Sequence, residues 1–273
     1  MTDIAVSAAT RSSLLLLQRT ADVRTEASQR LSTGLRVQRP VDDAAAFFQA
    51  ESARGRVRDL LQAKDQIGQA TSAVETALAG TEAIESLAGQ LKGLALSVQG
   101  GTAAERLAAA EQFDVIRQQI DALANDVSYG GVSLLADKPG SLNVNLDGEG
   151  GGDLILDGHA SGSTGLSIGS AVSDYNGFAT QGDITNALTQ INSAVADLRS
   201  FAADFGADVA VLNAREDFNQ ALANTLEAGA AKLVNTDLNT EAARLLATQV
   251  REQIGIETLR ISSQSQSLLA NFI

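Results

Sequence analysis

The fold is decided by residues 67–98, IGQATSAVETALAGTEAIESLAGQLKGLALSV, in which apolar or small residues recur at alternating steps of three and four. The series is Ile67, Ala70, Val74, Ala77, Thr81, Ile84, Ala88, Leu91, Ala95 and Val98, with Thr81 as its one polar member. This spacing is typical of a helix that packs along a narrow, coiled-coil-like seam. Because no proline falls between Pro40 and Pro139, the helix is predicted to run from about Asp43 to Gly100 and to reach about 85 Å.

Two further seams predict helices that pack against the first. Thr102 and Glu105 have the spacing of a capping box at the start of the second helix. Its seam comprises Ala109, Phe113, Ile116, Ile120, Leu123 and Val127. The third seam comprises Ile184, Leu188, Ile191, Val195, Leu198, Ala202, Phe205, Val209 and Leu212, and continues less regularly to Leu233. The predicted core of this helical rod includes Ile67, Val74, Ile84, Leu91, Phe113, Ile116, Ile120, Leu188, Ile191 and Val195.

Both ends of the chain have weaker seams. The first is Leu14, Leu17, Ala21, Arg24, Ser28 and Leu31, followed by Gly34 as the predicted C-cap. The second places Ile254, Ile261 and Leu268 seven residues apart among polar side chains. Because helices with such dilute seams should not be stable alone, two interpretations stay open: frayed termini, or helices that order only when subunits stack. On the second interpretation, Leu14, Leu17 and Leu31 contact Ile254, Ile261 and Leu268 and form the assembly interface.

The period changes to two between the helical halves. Leu142, Val144 and Leu146 alternate with polar residues, and after the glycine run 148–152 comes the short apolar stretch 154–156. This pattern predicts a β-hairpin with a glycine loop. Residues 140–182, rich in glycine and aspartate, are expected to face solvent with little to bury. The predicted fold is therefore mainly α: an elongated coiled-coil or helical-bundle rod with a small β-hairpin region and paired N- and C-terminal helices.

Composition removes several classes of function. The 273 residues include no cysteine and one histidine, so neither a thiol nucleophile nor a cluster of cysteine or histidine metal ligands is expected. The net charge of −13 argues against nucleic-acid binding. No apolar run approaches the ~18 residues of a membrane span, and Leu14–Leu17 is too short for a secretory signal.

The remaining candidate sites have plainer interpretations. The run 148–155 partly matches a calcium-binding nonapeptide, but it lacks the second glycine and occurs once, so a hairpin loop is expected. Asp42 and Asp43 are expected to be acids at a helix N-terminus rather than a catalytic pair. His159 is expected to be a solvated loop residue without a partner. No catalytic residue, cofactor or metal is predicted, and an enzyme is the least favoured class.

Several segments together resemble the bacterial flagellins. They are Gln29–Val37 (QRLSTGLRV), Asp42–Ala45 (DDAA), Tyr129–Leu135 (YGGVSLL), Asp237-Leu238, Glu241–Ala243 (EAA), Gln253–Ile256 (QIGI) and Ser267–Leu269 (SLL). The chain's shortness and its tail are similar to the alphaproteobacterial branch. The resemblance covers about residues 1–139 and 183–273. One departure keeps an alternative open, because Arg39-Pro40-Val41 resembles the hook–filament junction proteins, which share both ends with flagellins.

The resemblance implies a structural subunit that polymerises into the bacterial flagellar filament for swimming. Residues 1–40 and 237–273 would form a terminal coiled-coil core, residues 41–139 and 183–236 a helical rod, and residues 140–182 an outer hairpin region. It further implies type III export to the extracellular flagellum. The partners would be further copies of the chain and possible sibling flagellins, an export chaperone, and hook-associated and cap proteins, with no nucleic acid and no membrane insertion.

Overall fold

The structure is a computed structural model that describes the backbone of residues 8–270 and the side chains of residues 10–265. The mainly α fold with a small hairpin is confirmed. Its elements are α1 (Ala8–Thr33), α2 (Ala44–Ser97), α3 (Ala103–Asp126), β1 (Ser141–Asn145), β2 (Asp153–Asp157), one 3₁₀ turn (Asn176–Phe178), α4 (Gln181–Val234) and α5 (Leu238–Ala270). The chain divides into two compact units. The first unit comprises the described residues up to 55 and from 226 onward, and the second unit comprises residues 56–225.

The core of the second unit is built from the three long seams. Of the rod-core residues, Ile67, Val74, Ile84, Leu91, Phe113, Ile120 and Ile191 are buried, while Ile116, Leu188 and Val195 are half-buried against them. Thr81 is buried in the same seam, where its hydroxyl donates to the carbonyl of Ala77 at 2.9 Å. That hydrogen bond allows a polar residue to occupy a position between apolar neighbours.

Helix α3 begins with the expected capping box. The Thr102 hydroxyl accepts the backbone N–H of Glu105, and the Glu105 carboxylate accepts the backbone N–H of Thr102 at 2.7 Å. The hydrogen bonds that the backbone N–H and the hydroxyl of Thr102 donate to the Glu105 carboxylate lower the pKa of Glu105. The cap starts the helix two residues after Gly101, which separates α3 from α2.

The predicted hairpin forms. β1 and β2 are antiparallel, with Leu142 opposite Leu156 and Val144 opposite Leu154. In the connecting loop, the Asp147 carboxylate accepts the N–H groups of Glu149 and Gly150 at 2.9 and 3.0 Å. Gly148 has a φ of +76° and packs on α2, where a Cβ would lie 2.4 Å from the carbonyl oxygen of Asp59. This position therefore requires glycine.

The prediction that residues 140–182 bury little is wrong. Buried residues in this region include Val144, Leu146, Leu156, Ser161, Ser163, Leu166, Ile168, Ala171, Tyr175 and Phe178. Two carboxylates of α3 hold the segment after the hairpin: Asp114 accepts the N–H of Ala171 at 2.7 Å, and Asp121 accepts the N–H of Ser163 at 2.6 Å. Charge-assisted bonds to a neighbouring helix thus order a stretch whose composition resembles a loop.

The prediction for His159 is also wrong. Its ring stacks on Phe201 with 4.2 Å between centroids and meets buried Phe205 edge-on at 5.4 Å. Its Nε2 lies 3.7 Å from a carboxylate oxygen of Asp204. His159, which follows the hairpin, therefore packs against α4 instead of lying free in solvent.

The first unit contains a smaller core where α2 begins and α4 ends. It comprises Val37, Ala46, Ala50, Ala230 and Val234. Asp43 accepts the N–H of Ala46 at 3.1 Å and so caps α2, as expected of an acid at a helix N-terminus. Asp42 instead accepts the N–H groups of Gln38 and Arg39 in the preceding turn, and these bonds lower its pKa.

Substituting Ile84 by Asp should unfold the second unit. Ile84 is fully buried, so the variant loses about 1.5–3 kcal/mol of apolar burial and places an unpaired carboxylate in the seam. We expect the free energy of unfolding to fall by at least about 3 kcal/mol in urea titrations followed by circular dichroism. Leu96→Asp, on the exposed side of the same helix, is the control and should change it little. Equal effects of the two substitutions would contradict the seam assignment.

Substituting Asp208 by Asn should stabilise the second unit at neutral pH. Burial and the charges of Asp204 and Asp157 raise the pKa of Asp208, while His159 lowers it. The pKa of Asp208 in the folded state lies above its ordinary value of 3.8. At pH values above the folded-state pKa, the ionised carboxylate therefore lowers the free energy of unfolding. This destabilisation disappears as the pH falls below 3.8, because Asp208 is then protonated in both states. The gain in unfolding free energy over the wild type should therefore be largest at pH 7 and vanish in acid. Exposed Asp217→Asn is the control, and a gain that does not depend on pH would refute the explanation.

Candidate assembly surface

Helices α1 and α5 pack against each other in the first unit. The buried and half-buried residues of α5, as far as residue 265, show which face is involved, and they recur mainly at steps of four and three. They are Glu241, Ala242, Leu245, Thr248, Glu252, Gly255, Leu259 and Ser262. Spacing of this kind places one row of residues along a partner helix, as in a coiled coil. Most members of the row are small or polar, in contrast to the apolar seams of the second unit.

Ion pairs cross this seam at two levels. Glu241, only 4% exposed, lies 3.3 Å from Arg30 of α1, and Glu252 lies 3.1 Å from Arg24. The other carboxylate oxygen of Glu241 is buried without a hydrogen-bond partner. Desolvation offsets much of the attraction within a buried ion pair, so such pairs fix alignment more than they add stability.

Glycine permits a close approach between the two helices at position 255. A Cβ placed on Gly255 would lie 2.7 Å from Cδ2 of Leu17, inside any normal contact distance. Leu17 therefore lies over the bare backbone of α5. An alanine at position 255 would force the Leu17 side chain to move.

The predicted pairing of the terminal helices needs correction. Leu17 and Leu31 are half-buried, but Leu14, Ile254 and Ile261 are 45%, 61% and 58% exposed, and the Leu268 side chain lies outside the described residues. The heptad through Ile254 lies one residue away from the observed row through Gly255, which corresponds to a turn of about 100° around the helix. The hydrophobic pattern therefore marked a face adjacent to the seam, because most residues of the α5 row are small or polar.

Most large aliphatic side chains in the described parts of both helices are exposed, although others, among them Leu17, Leu31, Leu245 and Leu259, are half-buried. Seven of the exposed ones are the consecutive Leu14, Leu15 and Leu16 on α1 and, on α5, Leu246, Val250, Ile254 and Ile261, which are spaced to fall on one face. We call these seven residues the apolar stripe. Leu16 and Ile254 line the same groove between the helices, so the α1 and α5 parts of the stripe adjoin there. Exposed apolar patches of this extent mark interaction surfaces.

The charge of the chain is divided unequally between the two units. The first unit carries 11 Lys+Arg and 11 Asp+Glu, whereas the second carries 9 and 22. The whole excess of negative charge therefore belongs to the second unit. A neutral unit with exposed apolar side chains can meet another copy without electrostatic repulsion.

Among the described residues, no group of three or more histidine, aspartate or glutamate side chains is placed to hold a metal ion. None of the helices, as far as the structure describes them, is long and apolar enough to cross a membrane.

Comparisons with known proteins agree on one family. Residues 4–139 match the model of the bacterial flagellin N-terminal helical region. Flagellin FljK of Caulobacter vibrioides is 26% identical over 245 residues, covering 89% of this chain and 88% of its own. A flagellin of Brucella melitensis is 26% identical over 251 residues, covering 89% of both chains. A crystal structure of Bacillus cereus flagellin aligns with a TM-score of 0.49 and 16% identity over 56% of this chain and 88% of its own.

Proposed function

The chain belongs to the bacterial flagellin family of structural filament subunits, and we propose that its copies adhere to one another through the apolar stripe of α1 and α5. The observation that carries the proposal is the arrangement of the terminal pair, in which most residues of the α5 row are small or polar while seven large aliphatic residues are exposed. In that arrangement another copy of the chain can supply the missing apolar contact. The relatives that align over most of the chain are named flagellins, so the hook–filament junction alternative is not favoured.

The energetics of the stripe support assembly as the step that stabilises these helices. Full burial of one aliphatic side chain contributes about 1.5–3 kcal/mol. Association of two bodies costs on the order of 4–15 kcal/mol in lost freedom. Because the seven residues of the stripe are 45–63% exposed, about half of that gain remains for each of them, so one or two contacts would not offset the cost and several must act together. Folding of the terminal helices and polymerisation are then linked.

The remaining assignments follow from the family and stay part of the proposal. Residues 1–40 and 237–273 form the terminal coiled-coil region that polymerises, residues 41–139 and 183–236 the helical-rod region, and residues 140–182 the hairpin region. The net charge of the second unit favours contact with water and ions over close contact between copies.

We further propose that the protein is located in the extracellular flagellum. Its export uses the flagellar type III apparatus, and its partners there are a chaperone, sibling flagellins, and cap and hook-associated proteins. The protein acts as a structural element without enzymatic activity. The support for these assignments is membership of the family.

The proposal is tested by charging the stripe on α5. Ile254→Asp with Ile261→Asp should leave the helicity and melting temperature of the second unit unchanged, because both residues are exposed in the single chain. Polymer recovered by sedimentation after seeding should fall at least tenfold, since carboxylates would be buried at each contact.

Ile155→Asp is the matched control for that experiment. Ile155 is 60% exposed on β2 of the second unit, so its substitution changes the charge equally without touching the stripe. This control should polymerise like the wild type. If the double variant forms normal filaments, the stripe is not the interface.

A further inference from the structure

A groove opens between α1 and α5 where Leu17 crosses Gly255. It has a volume of about 210 Å³, and its walls include Leu16, Leu17, Ile254 and Thr258. Of its eight lining residues only Arg251 is charged. The groove therefore has an apolar character in a seam that is otherwise polar.

The missing side chain of Gly255 explains why the groove exists. The neighbouring positions of the same row are Glu252, which reaches Arg24, and Leu259, which is half-buried. At Gly255 no side chain projects from α5, and Leu17 covers the backbone without closing the space. The gap resembles the hole of a knobs-into-holes contact that lacks its knob.

We infer that this groove is a socket that receives one aliphatic side chain from the stripe of a second copy of the chain. The inference deepens the proposed function and rests on it. Since Leu16 and Ile254 belong both to the groove and to the stripe, the socket is continuous with the proposed interface. A cavity of about 150 Å³ lined by aliphatic residues holds benzene, so the groove has room for a leucine or isoleucine side chain.

The symmetry of a filament favours this occupant. A contact that joins two different patches of identical subunits repeats without closing and produces an open helical assembly. Each copy carries both partners of such a contact, because the socket lies beside Gly255 and exposed knobs such as Leu15 lie on α1. The neutral first unit of each copy therefore offers its neighbours both the groove and an aliphatic side chain that fits into one.

Plugging the groove tests the inference. Thr258→Phe introduces a ring at the groove wall while Ile254 and Ile261 keep their side chains. Thr189→Phe is a matched control in the second unit, because both threonines are exposed on helices and donate to the carbonyl four residues earlier, at 2.8 and 2.9 Å. The purified full-length chain is seeded, and the critical concentration for polymerisation is measured by sedimentation.

We expect Thr258→Phe to raise the critical concentration at least tenfold with unchanged monomer helicity, and Thr189→Phe to stay within twofold of the wild type. Thr258→Leu introduces a smaller side chain and should raise the critical concentration less. This variant replaces Thr258→Phe in the test if the Phe variant loses helicity. Normal polymerisation of both plugged variants, alongside loss of polymer in Ile254→Asp/Ile261→Asp, would overturn the socket and leave the stripe intact. Normal polymerisation of the stripe variant would instead overturn the proposed interface itself.

Discussion

The seam between α1 and α5, in which small and polar residues predominate on α5, is the constraint on which the behaviour of the chain ends depends. Arg30 and Arg24 meet Glu241 and Glu252 across it, and Gly255 offers only backbone to Leu17. Such contacts align two helices but release little free energy on folding. Most large aliphatic side chains of the described residues consequently lie outside the seam, where another molecule can remove them from water. A single chain is thereby left with apolar surface that a polymer can bury.

The second unit follows the opposite design. Its seams are apolar and closed, from Ile67 to Val98 on α2 and from Ile184 to Leu212 on α4. Burial of these seams does not require a partner, and the unit carries the whole net negative charge of the chain. On the proposed function, this unit is stable alone and its charge disfavours contact between copies, while the neutral unit gains stability by association. That division suits a subunit that must remain dispersed until a growing end presents the matching surface.

The sequence predicted best where local pattern and packing coincide. The regular series through Ile84, the capping box at Thr102 and the alternation around Val144 each follow from spacing within a short stretch. The predicted contact face of α5 is wrong by one residue. Apolar periodicity identifies the most hydrophobic face of a helix, whereas the buried residues of α5 are Glu241 and Thr248. Asp114, Asp121 and the rings around His159 were missed because their partners lie 40 or more residues away in the chain. A single sequence carries no local signal for such contacts.

Amide hydrogen exchange in the monomer and in the assembled filament tests the central claim most directly. If the apolar stripe is buried only between copies, amides of α1 and α5 should exchange within the first seconds in the monomer and be protected at least ~100-fold more in the filament. Amides of residues 67–98 should be strongly protected in both states. Equal protection of α5 in the monomer and in the filament would contradict the account, because the terminal pair would then be stable without a second copy.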